Sequence, residues 1–220
     1  MPSPDLTDQI ATLCALGFLL TAFAVLSSVR FTPGIMAYAG GSLLLSGYAA
    51  CVAFQTGYGH LWVVAGLSVL VKAAAIPWLL LRLVRLLRTR SEGRPQIGVP
   101  VSLLAGAVLT IIAYAAGNRF VPGLDGFYKS GLGAGLAVML IGMALVALRR
   151  QAVEQLLGLL LCENGTLMIG LSIAPNLPLI VEFGVLLDIV VAVFIFSRLV
   201  LYLHEVVHST DTLELRRLRG

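Results

Sequence analysis

Seven stretches of this chain are apolar for about twenty residues each, and that length decides most of what the chain can become. They run over 9–29, 34–54, 60–82, 98–117, 130–148, 153–173 and 178–203. Inside hydrocarbon no water can satisfy a backbone N–H or C=O, so a spanning segment must close its own hydrogen bonds as a helix. The breaks carry turn residues: TPG at 32–34, QTGYGH at 55–60, SEGRPQIG at 91–98, NRFVPGLDGFYKS at 118–130 and APNLP at 174–178. The expected fold is therefore all-α, a polytopic membrane bundle of about seven transmembrane helices. Composition excludes a soluble domain, since 59% of residues are hydrophobic and 12% charged, where soluble domains carry roughly a quarter charged. The opening MPSPDLTDQ has acids and no base, unlike a cleaved signal peptide, so the first span is expected to stay in the mature protein.

The bases set an orientation. With the N-terminus outside, the inner segments hold Arg30, then Arg82, Arg85, Arg88, Arg90 and Arg94, then Arg149 and Arg150, then Arg216, Arg217 and Arg219. The outer segments hold Arg119 and Lys129. Bases gather on the cytoplasmic side, which places the C-terminus inside. Membrane orientation thus accounts for the net charge of +4 without nucleic acid as a partner. Cys14, Cys51 and Cys162 each stand alone in an apolar run, with no metal or iron–sulfur spacing and no disulfide framework. No cofactor is expected. Gly131, Gly135 and Gly142 recur at helical spacing, which suits close packing in a bundle better than a dimer face.

Ionisable residues do not belong at mid-span, yet Lys72, Glu163, Glu182 and Asp188 lie within apolar runs. Each costs roughly 2.5–3.5 kcal/mol at a helix centre, so such residues face partners or water and carry function. At ~1.5 Å per residue, Glu163 lies ~15 Å from the outer end of its span, Asp188 ~15 Å inward from Pro178, and Lys72 ~18 Å inward from His60. The three share a level near the bilayer midplane. A lysine and one acid would make a structural pair; the second acid favours a proton relay. Glu182, a turn below the outer surface, is either a proton exit or a solvated end residue. Pro77 removes a helical hydrogen bond five residues after Lys72 and frees the carbonyl of Ala73, so a kink is expected there. Asn164 stands ready to orient Glu163 or hold water.

HEVVH, from His204 to His208, fits the zinc pattern H-E-x-x-H. A catalytic zinc needs a third protein ligand and a walled site. His60 is expected on the opposite side of the membrane, and Asp211 and Glu214 lie in a short tail that leaves no segment for a cleft, so no metal site is assigned. DTLE, from Asp211 to Glu214, offers a helix start for a short cytoplasmic surface helix.

The stretch QLLGLLLCENGTLMIGLSIAPNLPLIVEFGVLLDIVVAVFI, followed by HSTDTLELRRLRG, resembles the hydrogenase-4 component E family. The family pattern includes an L-E-N-G motif, represented here by LCENG. It also has P-L-x-V-E-x-G-x-x-x-D and a terminal D-T-x-x-L-x-x-L-(K/R)-G. The likeness spans 151–220 and is weaker over 1–150, where KAAAIP supplies a lysine before a proline. Spans five to seven also look like the small three-helix subunit of complex I (NuoK type) and of Mrp-type antiporters (MrpC type). That subunit carries one glutamate in each of its second and third helices; Glu163 would match the first and Asp188 the second.

The resemblance implies a four-helix part over 1–129, a three-helix part over 130–203 and a cytoplasmic tail over 204–220. It implies a subunit with no active site of its own, in a bacterial or archaeal cell membrane. Its partners would be an antiporter-like subunit and the membrane anchor of a redox module, as in membrane-bound nickel–iron hydrogenases. Glu163, Asp188 and Lys72 would pass protons between subunits. The alternative is a subunit of an Mrp-like cation/proton antiporter without a hydrogenase, and the most distant reading is an intramembrane zinc protease.

Overall fold

The computed structural model describes residues 4–86, 98–124, 126–149 and 151–176. The apolar run 178–203 with Glu182 and Asp188, the HEVVH pattern and the tail 204–220 lie outside the described residues. Within them the chain is an all-α polytopic bundle, with six helices long and apolar enough to cross a membrane. The helices are α1 (Pro4–Ser27), α2 (Phe31–Thr56), a composite third span, α5 (Val99–Phe120), α6 (Gly126–Leu148) and α7 (Ala152–Ile173). The third span has three pieces: α3 (Gly59–Leu67), a π-helical segment (Ser68–Ala75) and α4 (Ile76–Leu86).

Most of these helices are apolar all round, as helices in lipid must be. Leu13, Leu20, Leu70, Leu104 and Ile111 point out of the bundle, while Phe18, Ile35, Leu45, Leu80, Ile141 and Leu160 fill its centre. The turns fall close to the expected breaks. Gly57 ends α2 with φ +72°, and its N–H closes on the carbonyl of Ala53; a left-handed residue here favours glycine. One break reads differently in three dimensions. Thr32-Pro33-Gly34 is no turn but the opening of α2, whose first-turn N–H groups have no helical acceptor and so lose nothing to a proline.

Two helices organise the packing. α2 lies against α1, against all three pieces of the third span and against α7. α6 lies against α1, α5 and α7. α7 is thus held between them, and its seam with α6 is made of glycines. A Cβ on Gly142 would sit 2.6 Å from the carbonyl oxygen of Gly158, and one on Gly165 would sit 2.6 Å from the backbone nitrogen of Met139. Backbone touches backbone, the close approach that small residues permit between membrane helices. Gly135 belongs to the same seam, whereas Gly131 faces Tyr48 and Ser172. Gly131, Gly135 and Gly142 therefore all serve packing within the chain.

Candidate functional site

Pro77 has no N–H to give, and the helix before it is not α. From Ser68 to Ala75 the backbone runs in π geometry, and the N–H of Ile76 reaches the carbonyl of Val71, five residues back. The expected departure from a regular helix is present, in the form of a widened turn rather than an isolated missing bond. π segments are rare and collect at functional sites. Lys72 sits in the middle of this one, 2% exposed.

α7 supplies the partners. At 3.6 residues per turn, Gly158 and Gly165 fall on one face, toward α6. Glu163, two residues before Gly165, falls about 200° round the helix, away from α6 and toward α2 and the third span. Its Oε1 accepts from Lys72 Nζ at 2.6 Å. The same ammonium donates to Asn164 Oδ1 at 3.2 Å. An ammonium has no lone pair, so Asn164 must present its oxygen to Lys72. Its Nδ2 is then free to donate to Ser42 Oγ of α2, at 3.0 Å. Asn164 and Ser42 are fully buried, and Glu163 is 6% exposed. Three spans are tied at one point by one charge pair and two neutral groups.

The arrangement brings together Lys72, Glu163 and Asn164, three of the residues singled out by pattern, at the shared depth their spacing implies. Glu182 and Asp188 lie outside the described residues. Desolvating two charges costs several kcal/mol per ion, and attraction repays that cost only with good geometry and further hydrogen bonds. Here the short contact and the Asn164–Ser42 relay supply both. Moving one proton from Lys72 to Glu163 would leave two neutral groups at the same spot.

The seam changes character along its length. Toward the N-terminal face of the bundle it carries buried hydroxyls. Ser46 donates to the carbonyl of Ala65 at 2.7 Å, and Tyr48 bonds Ser172 at 2.9 Å. At its mouth His60 Nε2 lies 3.2 Å from the carbonyl oxygen of Pro175. Toward the opposite face, Ile35, Ile76, Leu80, Leu157 and Leu160 close it with hydrocarbon.

Against known proteins, the chain is 33% identical over 159 residues to the uncharacterized protein Rv0085 of Mycobacterium tuberculosis, a match covering 71% of this chain and 72% of that one. The chain belongs to the family of that mycobacterial protein. No family model matches it, and no solved structure does.

In this family member a second buried ion pair joins the first. Arg149, in the turn between α6 and α7, lies 3.6 Å from Glu154 Oε1 and donates from Nη2 to the carbonyl of Leu26 at 3.1 Å. Sequence reasoning placed Arg149 only as a marker of the inner side and passed over Glu154. The signal available was an acid five residues after a base across a short break. Ser42 was also missed. Nothing separates it from Ser46 or Ser68 except that it lies level with the pair.

Proposed function

We propose that the chain is a non-catalytic integral membrane subunit of a complex-I-like, redox-driven ion-translocating complex of the hydrogenase-4 component E type. The observation that carries this reading is the buried Lys72–Glu163 pair at 2.6 Å, deep within the bundle. Its chemistry suits lateral proton transfer. A proton arriving on Glu163 dissolves the pair, while Asn164 still accepts from the Lys72 ammonium. The surplus charge then leaves through Lys72 or is passed to the next acid. Asp188, matched to the second acid by the resemblance, is the assigned continuation of the chain, and Glu182, a turn below the outer surface, is an outer exit or a solvated end residue. The subunit supplies no active site. Redox chemistry in partner subunits shifts the proton affinities of these groups, and the setting is the inner membrane of a bacterial or archaeal cell, with the C-terminus cytoplasmic.

Two measurements test this. Solubilised membranes should yield the chain together with an antiporter-like subunit and a nickel–iron hydrogenase module. Antiporter-type subunits alone would instead place it in a cation/proton antiporter. In inverted vesicles carrying the intact complex, Glu163→Gln should abolish redox-driven acidification while all subunits still copurify. Acidification at the wild-type rate would overturn the relay.

A further inference from the structure

A cleft opens at the end of the bundle where α1 meets α2 and α6 meets α7. The enclosed space is small, and the cleft is partly open to the surroundings. Ser28, Arg30, Phe31, Leu145, Arg149 and Glu154 are among its lining residues. Neither the relay nor the orientation of the chain requires it.

Its charges are out of balance. Arg149 is 8% exposed, yet it spends only one guanidinium hydrogen bond, from Nη2 to Leu26. Nη1 is buried without any hydrogen-bond partner. Glu154 stands 3.6 Å from it, within reach of an ion pair but beyond a hydrogen bond. Arg30 is exposed and makes no ion pair among the described residues. It occupies the N-cap of α2, where its positive charge opposes the positive end of the helix dipole. α2 has no side-chain cap and no acid in its first turn, so the N–H groups of Phe31 and Thr32 also lack helical acceptors. Two guanidinium groups and an uncapped helix start thus converge on one space that contains a single carboxylate. Each of these features is stabilised by an anion.

We propose that this cleft binds the phosphate-ester headgroup of an anionic lipid. Arg149 would present its unspent donors to the phosphate, Arg30 would close over it, and the start of α2 would add backbone N–H groups. Val25, Phe31, Leu145 and Leu157 back the cleft with buried hydrocarbon, and its place at the end of a membrane-spanning bundle favours a lipid headgroup over a freely hydrated ion. Basic pockets between transmembrane helices hold anionic headgroups in this way.

The test uses the full chain, purified and delipidated in detergent, with thermal unfolding followed during titration. The probes are short-chain phosphatidylglycerol, short-chain phosphatidylcholine and inorganic phosphate. Phosphatidylglycerol should raise the unfolding temperature saturably. Phosphatidylcholine, whose choline neutralises the phosphate, should not. Arg30→Ala should raise the half-saturating phosphatidylglycerol concentration about tenfold or more, the loss of one charge-assisted hydrogen bond. Arg149→Lys, which keeps the charge but loses the fork, should weaken binding in the same direction. Arg119→Ala, at the other end of the bundle, should leave the titration unchanged. Equal titrations for wild type and Arg30→Ala would overturn the site. A saturable response to inorganic phosphate at the same concentrations would overturn the lipid assignment and make the ligand a soluble phosphate.

Discussion

Two buried ion pairs flank α7, and they are built for different ends. Lys72–Glu163 spans two helices far apart in sequence, at 2.6 Å, with Asn164 and Ser42 filling the space around it. Arg149–Glu154 bridges a turn and the helix that follows it, at 3.6 Å, beside an open cleft. The basic partner matters as much as the geometry. A lysine ammonium surrenders its proton when burial demands it, whereas an arginine keeps its charge in any protein environment. In the mid-bundle pair both partners are of types that can change charge, whereas in the pair at the turn the arginine cannot. Burial alone does not mark a relay; the ability of both partners to change charge does.

The sharpest way to break that contrast is to remove one partner of the mid-bundle pair. Lys72→Met leaves Glu163 buried without its cation and should cost about 3–5 kcal/mol of stability, read as a large fall in unfolding temperature of the purified chain. Adding Glu163→Leu should recover most of that loss while redox-driven acidification stays absent. A double variant that pumps would show the pair to be structural only. Next in size, Lys72→Arg keeps the charge but forbids its loss. It should cost roughly 1–3 kcal/mol through overpacking and still reduce acidification in vesicles about tenfold or more, the effect of a barrier higher by ~1.4 kcal/mol. The smallest effect belongs to the other pair. Glu154→Gln, which keeps the side chain's size at a looser pair 3.6 Å apart, should lower stability less than either Lys72 variant, with acidification at the wild-type rate.

How much of this could be read without coordinates depended on the type of signal. Segment length against bilayer thickness gave the helices, and counting residues from their ends put Lys72 and Glu163 at one level. Both are one-dimensional measurements, so a sequence contains them. What needed three dimensions was azimuth. Ser42 is an ordinary serine until α2 is turned so that it meets Asn164. Arg149 is a topology marker until the α6–α7 turn folds it back on Leu26 and Glu154. Pro77 announced a disturbance in the third span but not its form, since a freed carbonyl is compatible with a kink, a bound water or a widened turn. Thr32-Pro33-Gly34 misled because proline and glycine mark turns and helix starts alike.

The glycine seam between α6 and α7 has a mechanical consequence. With main chain pressed against main chain at Gly135, Gly142, Gly158 and Gly165, neither helix can roll about its axis without driving backbone into backbone. Glu163 is carried by that locked pair. Lys72 rides instead on a loosened stretch whose hydrogen bonds already skip a residue. When the charge between them changes, the glutamate's helix works as an anvil and the lysine's helix as the part that yields. Any motion that a change of charge sets off leaves the bundle through the third span.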